Sequence, residues 1–401
     1  MTTIDLEDLG FDRGAHILVD RALAGLAPGG RLTVRGRDPH LRIHLGAWAR
    51  AEGHQVRASG TGAPAVSPDV AVLVKGSAGE DRWRHAARAG EPGPGGVVDQ
   101  APAAWGLAAR GALVEAGGPP LLASDLDRKS EVWADIAPKL YAQALAGQWD
   151  PATAIDWAAP IEHGPEIEAA VVQVMTYLVE NEQAALVVPA RFIARVHPHY
   201  REVLQLLAVQ MADEARHVEV FTRRALLSGG PMGTSGAGGR ASLQTLLEEP
   251  DFSLAAFLLS VLGEGTFLSL LSFLERHAPD PVTRSVARLA LQDEARHVAF
   301  GMAHLEHRLE TEPELRSRLR SAIERRHDAL TATAGLHAGV HDALVLLAAG
   351  AHTPAAVAAG WDRVRLLQAD MDEGRRRRLS RLGFVSDEAA ELSALHTRNF
   401  M

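Results

Sequence analysis

No cysteine occurs among the 401 residues. That absence excludes disulfides, thiolate nucleophiles, cysteine-ligated zinc and cysteine-ligated iron–sulfur clusters, so a metal must sit on His, Asp or Glu. An excess of positive charge is missing too. Against 50 Asp and Glu stand 41 Lys and Arg, a formal net charge of -9, which gives no global attraction to nucleic acid or to an anionic membrane. No apolar run approaches the ~18 uninterrupted residues of a membrane span, and residues 1–10 carry acidic groups instead of an apolar signal core. A cytoplasmic, unanchored protein is the expectation. Tyrosine is scarce, with only Tyr141, Tyr177 and Tyr200. The glycine-rich stretch 233–239 lacks both a following Lys-Ser/Thr and a preceding strand, so no Walker loop or Rossmann fingerprint is present.

What is present is a chain long enough for two or three domains, 47% apolar and 23% charged, with a helical, alanine- and leucine-rich bias. In residues 2–75 the periodicity switches repeatedly. It predicts strands at 3–6 and 31–34, helices at 15–26 and 41–52, and strands at 54–58 and 70–74, a small βαβαββ unit with a loop over the Gly/Pro/Ser-rich 59–68. The run Leu9-Gly10, Leu26-Ala27-Pro28-Gly29-Gly30, Asp38-Pro39 and Glu52-Gly53-His54 resembles the TusA sulfur-carrier family. In that family a Cys-Pro-x-Pro motif follows the Leu-Gly, whereas Arg13, Gly14, Ala15 and His16 stand here. The resemblance implies the fold; the missing thiol removes the sulfur chemistry.

The expected layout is a TusA-like α/β domain at 1–78, a connecting region at 79–130 with no sustained period, and a helical domain at 131–401. A charged helix is predicted at 127–146, and Asp150 before Pro151 reads as a stop and restart. Long helices follow at about 165–188, 199–227, 252–276 and 281–309, then 314–334 and shorter ones to the end. Pro189, Pro198, Pro279 and Asp280-Pro281 mark short connections between antiparallel neighbours. The stretch 228–250 between the second and third helices is long enough to run the length of a bundle, which is the ferritin-like topology.

Two copies of one pentapeptide carry the chemistry: Asp213-Glu214-Ala215-Arg216-His217 and Asp293-Glu294-Ala295-Arg296-His297. Each contains Glu-x-x-His, and residues three apart share a helix face, so carboxylate and imidazole can converge on one ion. A two-metal carboxylate site needs one more glutamate from each of the other two helices. Glu264 is the only acidic residue between Asp251 and Glu275 and lies on an apolar stripe with Val261, Phe267, Leu268 and Leu271, where an unpaired charge would be costly. On the first helix, steps of three and four from Glu182 reach Leu178, Met175, Val171 and Leu186, whereas those from Glu180 reach Thr176, Gln173 and Gln183; Glu182 is therefore the preferred ligand and Glu180 the fallback. Asp213 and Asp293 are placed to orient the histidine of the opposite motif, with Arg216 and Arg296 holding the aspartates.

Over residues 150–309 this pattern resembles the ferritin-like superfamily of di-iron oxygenases, which includes bacterial multicomponent monooxygenases, soluble acyl desaturases, arylamine N-oxygenases and ribonucleotide reductase small subunits. The resemblance implies Glu182, Glu214, His217, Glu264, Glu294 and His297 as ligands and catalytic centre. It also implies two iron ions with manganese as the substitute, O2 as co-substrate, a small organic substrate and an external electron donor such as a ferredoxin or flavin reductase. A homodimer is compatible with it, and neither nucleic acid nor membrane is an expected partner. The alternative is a ferritin- or rubrerythrin-like protein that oxidises iron or removes peroxide; the amino-terminal unit and the ~90 residues beyond the fourth helix favour the enzyme.

Small residues stand near the ligands: Gly263 and Gly265 flank Glu264, Ala185 follows Glu182 by three positions, and Gly301 lies one turn past His297. Substrate space, a π-bulge or close helix packing would each account for them. A radical-generating reductase would want a tyrosine one turn beyond the first histidine, where Phe221 stands; Tyr177 remains a weak redox candidate. His337 with His341, and His304 with His307, read as surface histidines, and the run 375–378 as a solvated basic face.

Overall fold

The computed structural model describes residues 2–57, 70–331 and 338–397. They form two compact units, one of residues 1–89 with 111–119 and one of residues 90–110 with 120–401.

The smaller unit runs β1 (Thr2–Asp5), α1 (Ala15–Ala24), β2 (Arg31–Arg35), α2 (Leu41–Ala51), β3 (Gln55–Arg57) and β4 (Val70–Val74). Its sheet has the order β1-β2-β4-β3, parallel between β1 and β2 and antiparallel elsewhere. Alternate residues Leu32 and Val34, Ala71 and Leu73 point to a core completed by Val19 and Leu23 of α1 and by Leu41 and Leu45 of α2. Positions 13–16 form the turn into α1, where Gly14 takes a left-handed φ of 100° that a side chain would resist. The 59–68 loop lies outside the described residues. The aperiodic stretch beyond holds α3 (Ala78–Arg82) and a two-stranded ribbon of β5 (Ala87–Arg88) and β6 (Leu113–Val114).

The larger unit is helical. Where one helix was expected at 127–146, there are two, α4 (Lys129–Val132) and α5 (Ala137–Ala146). The chain turns extended at Trp133, whose ring is buried and whose carbonyl bonds His304 Nδ1 at 3.0 Å, and Pro138 restarts the helix in its first turn. Four long elements follow. They are α6 (Pro165–Ile193), α7 (Arg201–Leu226), a third element made of α8's successor segments, and α11 (Pro281–Thr311); α8 itself (Ala237–Leu247) lies in the connection between the second and third. The third element comprises α9 (Phe252–Ala256), a π-helical segment (Phe257–Glu264) and α10 (Gly265–His277). Side-chain caps set two of the starts: Asp251 accepts from Leu254 N at 3.0 Å, and Asp280 from Thr283 N at 2.7 Å with Pro281 in the first turn. α6 packs on α7, α10 and the π segment pack on α11, and α7 meets α11.

Pro189 does not end its helix as expected but lies inside α6. Its missing N–H and ring cost about 3 kcal/mol in an isolated helix, a loss opposed here by burial of Val188, Pro189 and Phe192, with Phe192 edge-on to Phe252 at 5.4 Å. The apolar window within Phe252–His277 is long enough to cross a membrane, yet 78% of it is buried inside the protein. α12 (Leu315–Thr331), α13 (Ala338–Ala349), α14 (Pro354–Arg381) and α15 (Ser386–Thr397) complete the unit. α14, at 28 residues, is far longer than the short terminal helices expected, because Val364, Leu367, Met371 and Leu379 give it a buried stripe.

Candidate metal centre

One turn of α7 and one of α11 present Glu214 with His217 and Glu294 with His297. Glu182 comes from the middle of α6, and Glu264 from the last residue of the π segment. Their ligand atoms form two groups, Glu182-Glu214-His217-Glu294 and Glu214-Glu264-Glu294-His297, each within 4.8 Å. Glu214 and Glu294 belong to both. The arrangement is a pair of adjacent cation sites sharing two carboxylates, with one terminal glutamate and one histidine apiece, and it is able to bind a pair of metal ions.

All six side chains are at most 3% exposed. Among the described residues, Glu182 Oε1, Glu214 Oε1, Glu264 Oε2, both oxygens of Glu294 and His297 Nδ1 have no partner in hydrogen-bond geometry. Each such buried orphan costs roughly 1–3 kcal/mol, and four carboxylates enclosed together repel one another. Two divalent cations answer both problems, so the residues present fit the metals. Without metals, burial first, and then the charges of Glu214 and Glu294, push the Glu182 carboxyl well above the usual range. Burial and Glu294 do the same to Glu264. Burial would lower the histidines, but the carboxylates around them reverse it and hold both His217 and His297 well above their ordinary value.

The histidines face the cluster with Nδ1: that of His217 is 3.2 Å from Glu214 and 3.3 Å from Glu294, and that of His297 is 3.0 Å from Glu214. Their Nε2 atoms point to the opposite motif, His217 to Asp293 at 3.2 Å and His297 to Asp213 at 3.3 Å. An ionised carboxylate only accepts, so each Nε2–H donates and leaves the Nδ1 lone pair for a metal. Arg216 and Arg296 each donate to both aspartates, including Arg216 to Asp293 at 3.0 Å and Arg296 to Asp213 at 3.2 Å.

Four supporting residues escaped the sequence reading. Gln148 donates to Asp213 at 3.1 Å, and Trp149 donates to Asp293 at 2.8 Å while stacking within 15° of parallel on His217. They precede the Asp150-Pro151 turn, whose chemistry was readable while their long-range partners were not. Gln210 donates to Glu264 at 3.1 Å. Its position one turn before Glu214 was a signal in plain view. The fourth, Arg326, lines a narrow cavity whose wall includes Glu182, Glu264 and Glu294, with Leu243, Leu246 and Leu258 supplying apolar surface.

Other sequence candidates fall elsewhere. Glu180, the fallback ligand, lines a different pocket with Gln183 and Arg240 and takes no part in either donor group. Ala185 and Gly263 do line the cavity. Gly265 and Gly301 instead mark close packing: a Cβ on Gly265 would stand 2.5 Å from Arg378 Nε, and one on Gly301 2.6 Å from Ser260 Cβ. Tyr177 is buried, packs on Phe267, and is pushed upward by that burial. His304 is fully buried rather than at the surface, because Ser253 Oγ at 2.7 Å and the Trp133 carbonyl at 3.0 Å satisfy both ring nitrogens; burial lowers it to about 4. His337 lies outside the described residues. The basic run 375–378 is only half a solvated face: Arg375 and Arg378 are largely buried, with Arg378 Nε donating to the Val261 carbonyl at 2.7 Å and Arg375 reaching Thr266 Oγ1 at 3.3 Å.

No family model and no curated protein matches the chain. Among solved structures it is similar to a variant of an R2-like ligand-binding oxidase with aerobically reconstituted Fe/Fe cofactor, at 20% identity over 61% of this chain and 92% of that one, TM-score 0.49. It is also similar to an R2-like ligand-binding oxidase without metal cofactor, at 20% identity over 61% and 96%, TM-score 0.45. A third is an R2-like ligand-binding oxidase with aerobically reconstituted Mn/Fe cofactor, at 21% identity over 65% and 90%, TM-score 0.42.

Proposed function

We propose that the protein is an O2-dependent non-haem di-iron oxidoreductase that hydroxylates, desaturates or N-oxygenates a small organic substrate. The observation that carries this reading is a buried donor set for two metals, three of whose glutamates, Glu182, Glu264 and Glu294, line a narrow, largely apolar cavity. Oxygen-rich ligands with two imidazoles suit iron, with manganese as the substitute. Glu182, Glu214, His217, Glu264, Glu294 and His297 hold the pair, which when bound supplies electrons to O2.

The remaining chemistry belongs to the chain. Asp213, Asp293, Arg216 and Arg296 fix the imidazoles, Gln210 holds Glu264 in place, and the leucine-lined wall keeps water from the reacting face. Electrons arrive from a cytoplasmic ferredoxin or flavin reductase, and the amino-terminal unit, TusA-like without its thiol, serves as a docking module.

The test is anaerobic titration with ferrous ion followed by O2. Saturation at two irons per chain, with an optical change on O2 addition whose decay quickens with an organic substrate, is the expected result. Uptake of many irons per chain into a mineral would replace this reading with iron storage, and failure to take up any metal would end both.

A further inference from the structure

The cavity beside the metal ligands is closed. It measures about 20 Å³, room for about one water molecule, although Glu182, Glu264 and Glu294 all line it. No organic molecule passes through such a space unless part of its wall moves. α8 supplies the thinnest part of that wall. Its Leu243 and Leu246 line the cavity, and Leu243 also lines a groove of about 450 Å³ between α6 and α8, open to solvent, with Ala184, Val187 and Leu247. On the other flank Thr245 lines a second open groove, of about 220 Å³, with Ala322 and Arg325 of α12. The thickness of one helix separates the cavity from solvent on either side.

α8 is fastened at its ends and loosely held between them. Before it, Gly233 N donates to Thr176 Oγ1 of α6 at 2.8 Å and Thr234 N to Gln173 Oε1 at 2.9 Å. After it, the Pro250 carbonyl accepts from Arg195 at 3.0 Å. Between these points only Gly238, Ser242 and Leu246 are buried, and Gly236, Gly238 and Gly239 leave the start of the helix conformationally free. Among the described residues a single hydrogen bond joins α8 to another helix, from Arg326 Nη2 of α12 to Ser242 Oγ at 2.6 Å. Its donor is poorly settled. Arg326 is 5% exposed, forms no ion pair among the described residues and finds no acceptor there for Nε or Nη1, and burial pulls its guanidinium down to about 10. Hydration on opening meets those donors, so the residue that latches α8 also weakens the closed state.

We propose that α8 is the gate of the metal site, swinging from its glycine-rich start to admit an uncharged organic molecule from the groove between α6 and α8, with Ser242 and Arg326 as its latch. An element with so few buried contacts opens at a small fraction of the free energy of global unfolding. The α6 side is the entrance because its wall is mainly Ala184, Val187, Leu243 and Leu247, whereas Glu248, Glu249, Arg325 and Arg326 make the α12 side strongly hydrated. What the gate admits rests on the oxygenase reading; its motion does not.

Because the chain has no cysteine, Leu246→Cys places a unique thiol on the buried face of α8. Its rate of labelling by N-ethylmaleimide in the full chain measures opening. The expected rate is about 100-fold or more above that of Leu271→Cys, which sits in the bundle core. Adding Ser242→Ala, which removes the latch, should raise the rate about tenfold, and adding Arg326→Met, which removes the unmet donors, should lower it about tenfold. Val187→Trp, filling the α6 groove, should slow labelling, and Arg325→Trp, on the α12 side, should not. A rate no higher than that of Leu271→Cys, or one that Arg326→Met leaves unchanged or raises, would overturn the gate; slowing by Arg325→Trp alone would overturn the entrance. Where Leu246→Cys does not fold, hydrogen exchange of residues 237–249 in wild type and Arg326→Met reads the same motion. Exchange slowed by Arg326→Met supports the gate, and wild-type protection equal to that of α6 removes it. Two irons that react with O2 behind a sealed α8 keep the oxygenase and end the gate. A mobile α8 in a protein that ignores O2 does the reverse.

Discussion

Asp213 and Asp293 sit outside the donor groups yet determine what the histidines offer to a metal. Each accepts from the imidazole of the opposite helix, from two arginines and from one of the adjacent pair Gln148 and Trp149. Burial works against their ionisation, but His297 and Gln148 beside Asp213, and His217 and Arg296 beside Asp293, overcome it and hold both carboxyls below the usual range. An ionised Asp213 keeps the proton of His297 on Nε2. Replacing it by alanine leaves Nε2 without an acceptor and frees the ring to turn. Asp213→Ala should therefore lower metal affinity by about 10–100-fold while the helices stay formed, measured by competition with a chelator alongside circular dichroism. Wild-type affinity in that variant would show the aspartate to be a spectator.

At the scale of elements, the π segment is the feature on which the centre turns. It widens the third helix over Phe257–Glu264, delivers Glu264 at its end, and leaves the Val261 carbonyl to accept from Arg378. Gly265 is then glycine because the Arg378 guanidinium occupies the space of a Cβ. In a free helix Gly→Ala gains about 1 kcal/mol. Here Gly265→Ala should instead lose about 1–2 kcal/mol through the clash, read as a lower midpoint in thermal unfolding. Adding Arg378→Ala should remove the clash, so that the double variant loses less than the two single losses summed. A Gly265→Ala protein more stable than wild type would sink this account. The example also marks how far the sequence could be read. Proline, Asp and Thr caps announce helix starts through chemistry confined to four residues, and Glu264 stands out as a lone acid in an apolar stretch. Glu182 follows from steps of three and four. The π segment left only the Gly263 and Gly265 pair as a trace, for which a π-bulge was one of three readings, because residues 252–262 are buried on every side and no polar face records the change of phase. Arg375 and Arg378 read as ordinary surface charge for the same reason that Gln148, Trp149 and Arg326 were missed. Their meaning lies in partners far away in the chain.

For the whole molecule, the centre ties together α6, α7, the third element and α11, so its protonation enters the stability of the larger unit. In the metal-free protein Glu182 and Glu264 are pushed above the ordinary 4.5, and His217 and His297 above the ordinary 6.5. A folded state with raised values holds protons that the unfolded chain has released. The stability these groups contribute is complete below the ordinary values and drains away as pH rises, from 4.5 upward for the glutamates and from 6.5 upward for the histidines. Glu214, Asp213 and Asp293 are lowered and act in the opposite sense, but their window lies below the ordinary carboxylate values. Metal ions displace the extra protons, so the loaded protein escapes the loss, and binding itself tightens with pH. The difference in melting temperature between loaded and metal-free protein should therefore widen from about pH 5.5 to about pH 8. Scanning fluorimetry on both forms across that range measures it, and one proton-release experiment in weak buffer gives the sign independently. A gap that narrows as pH rises would mean that these carboxylates and imidazoles are already unprotonated without metal, and that the charge of the empty cluster is balanced in some other way.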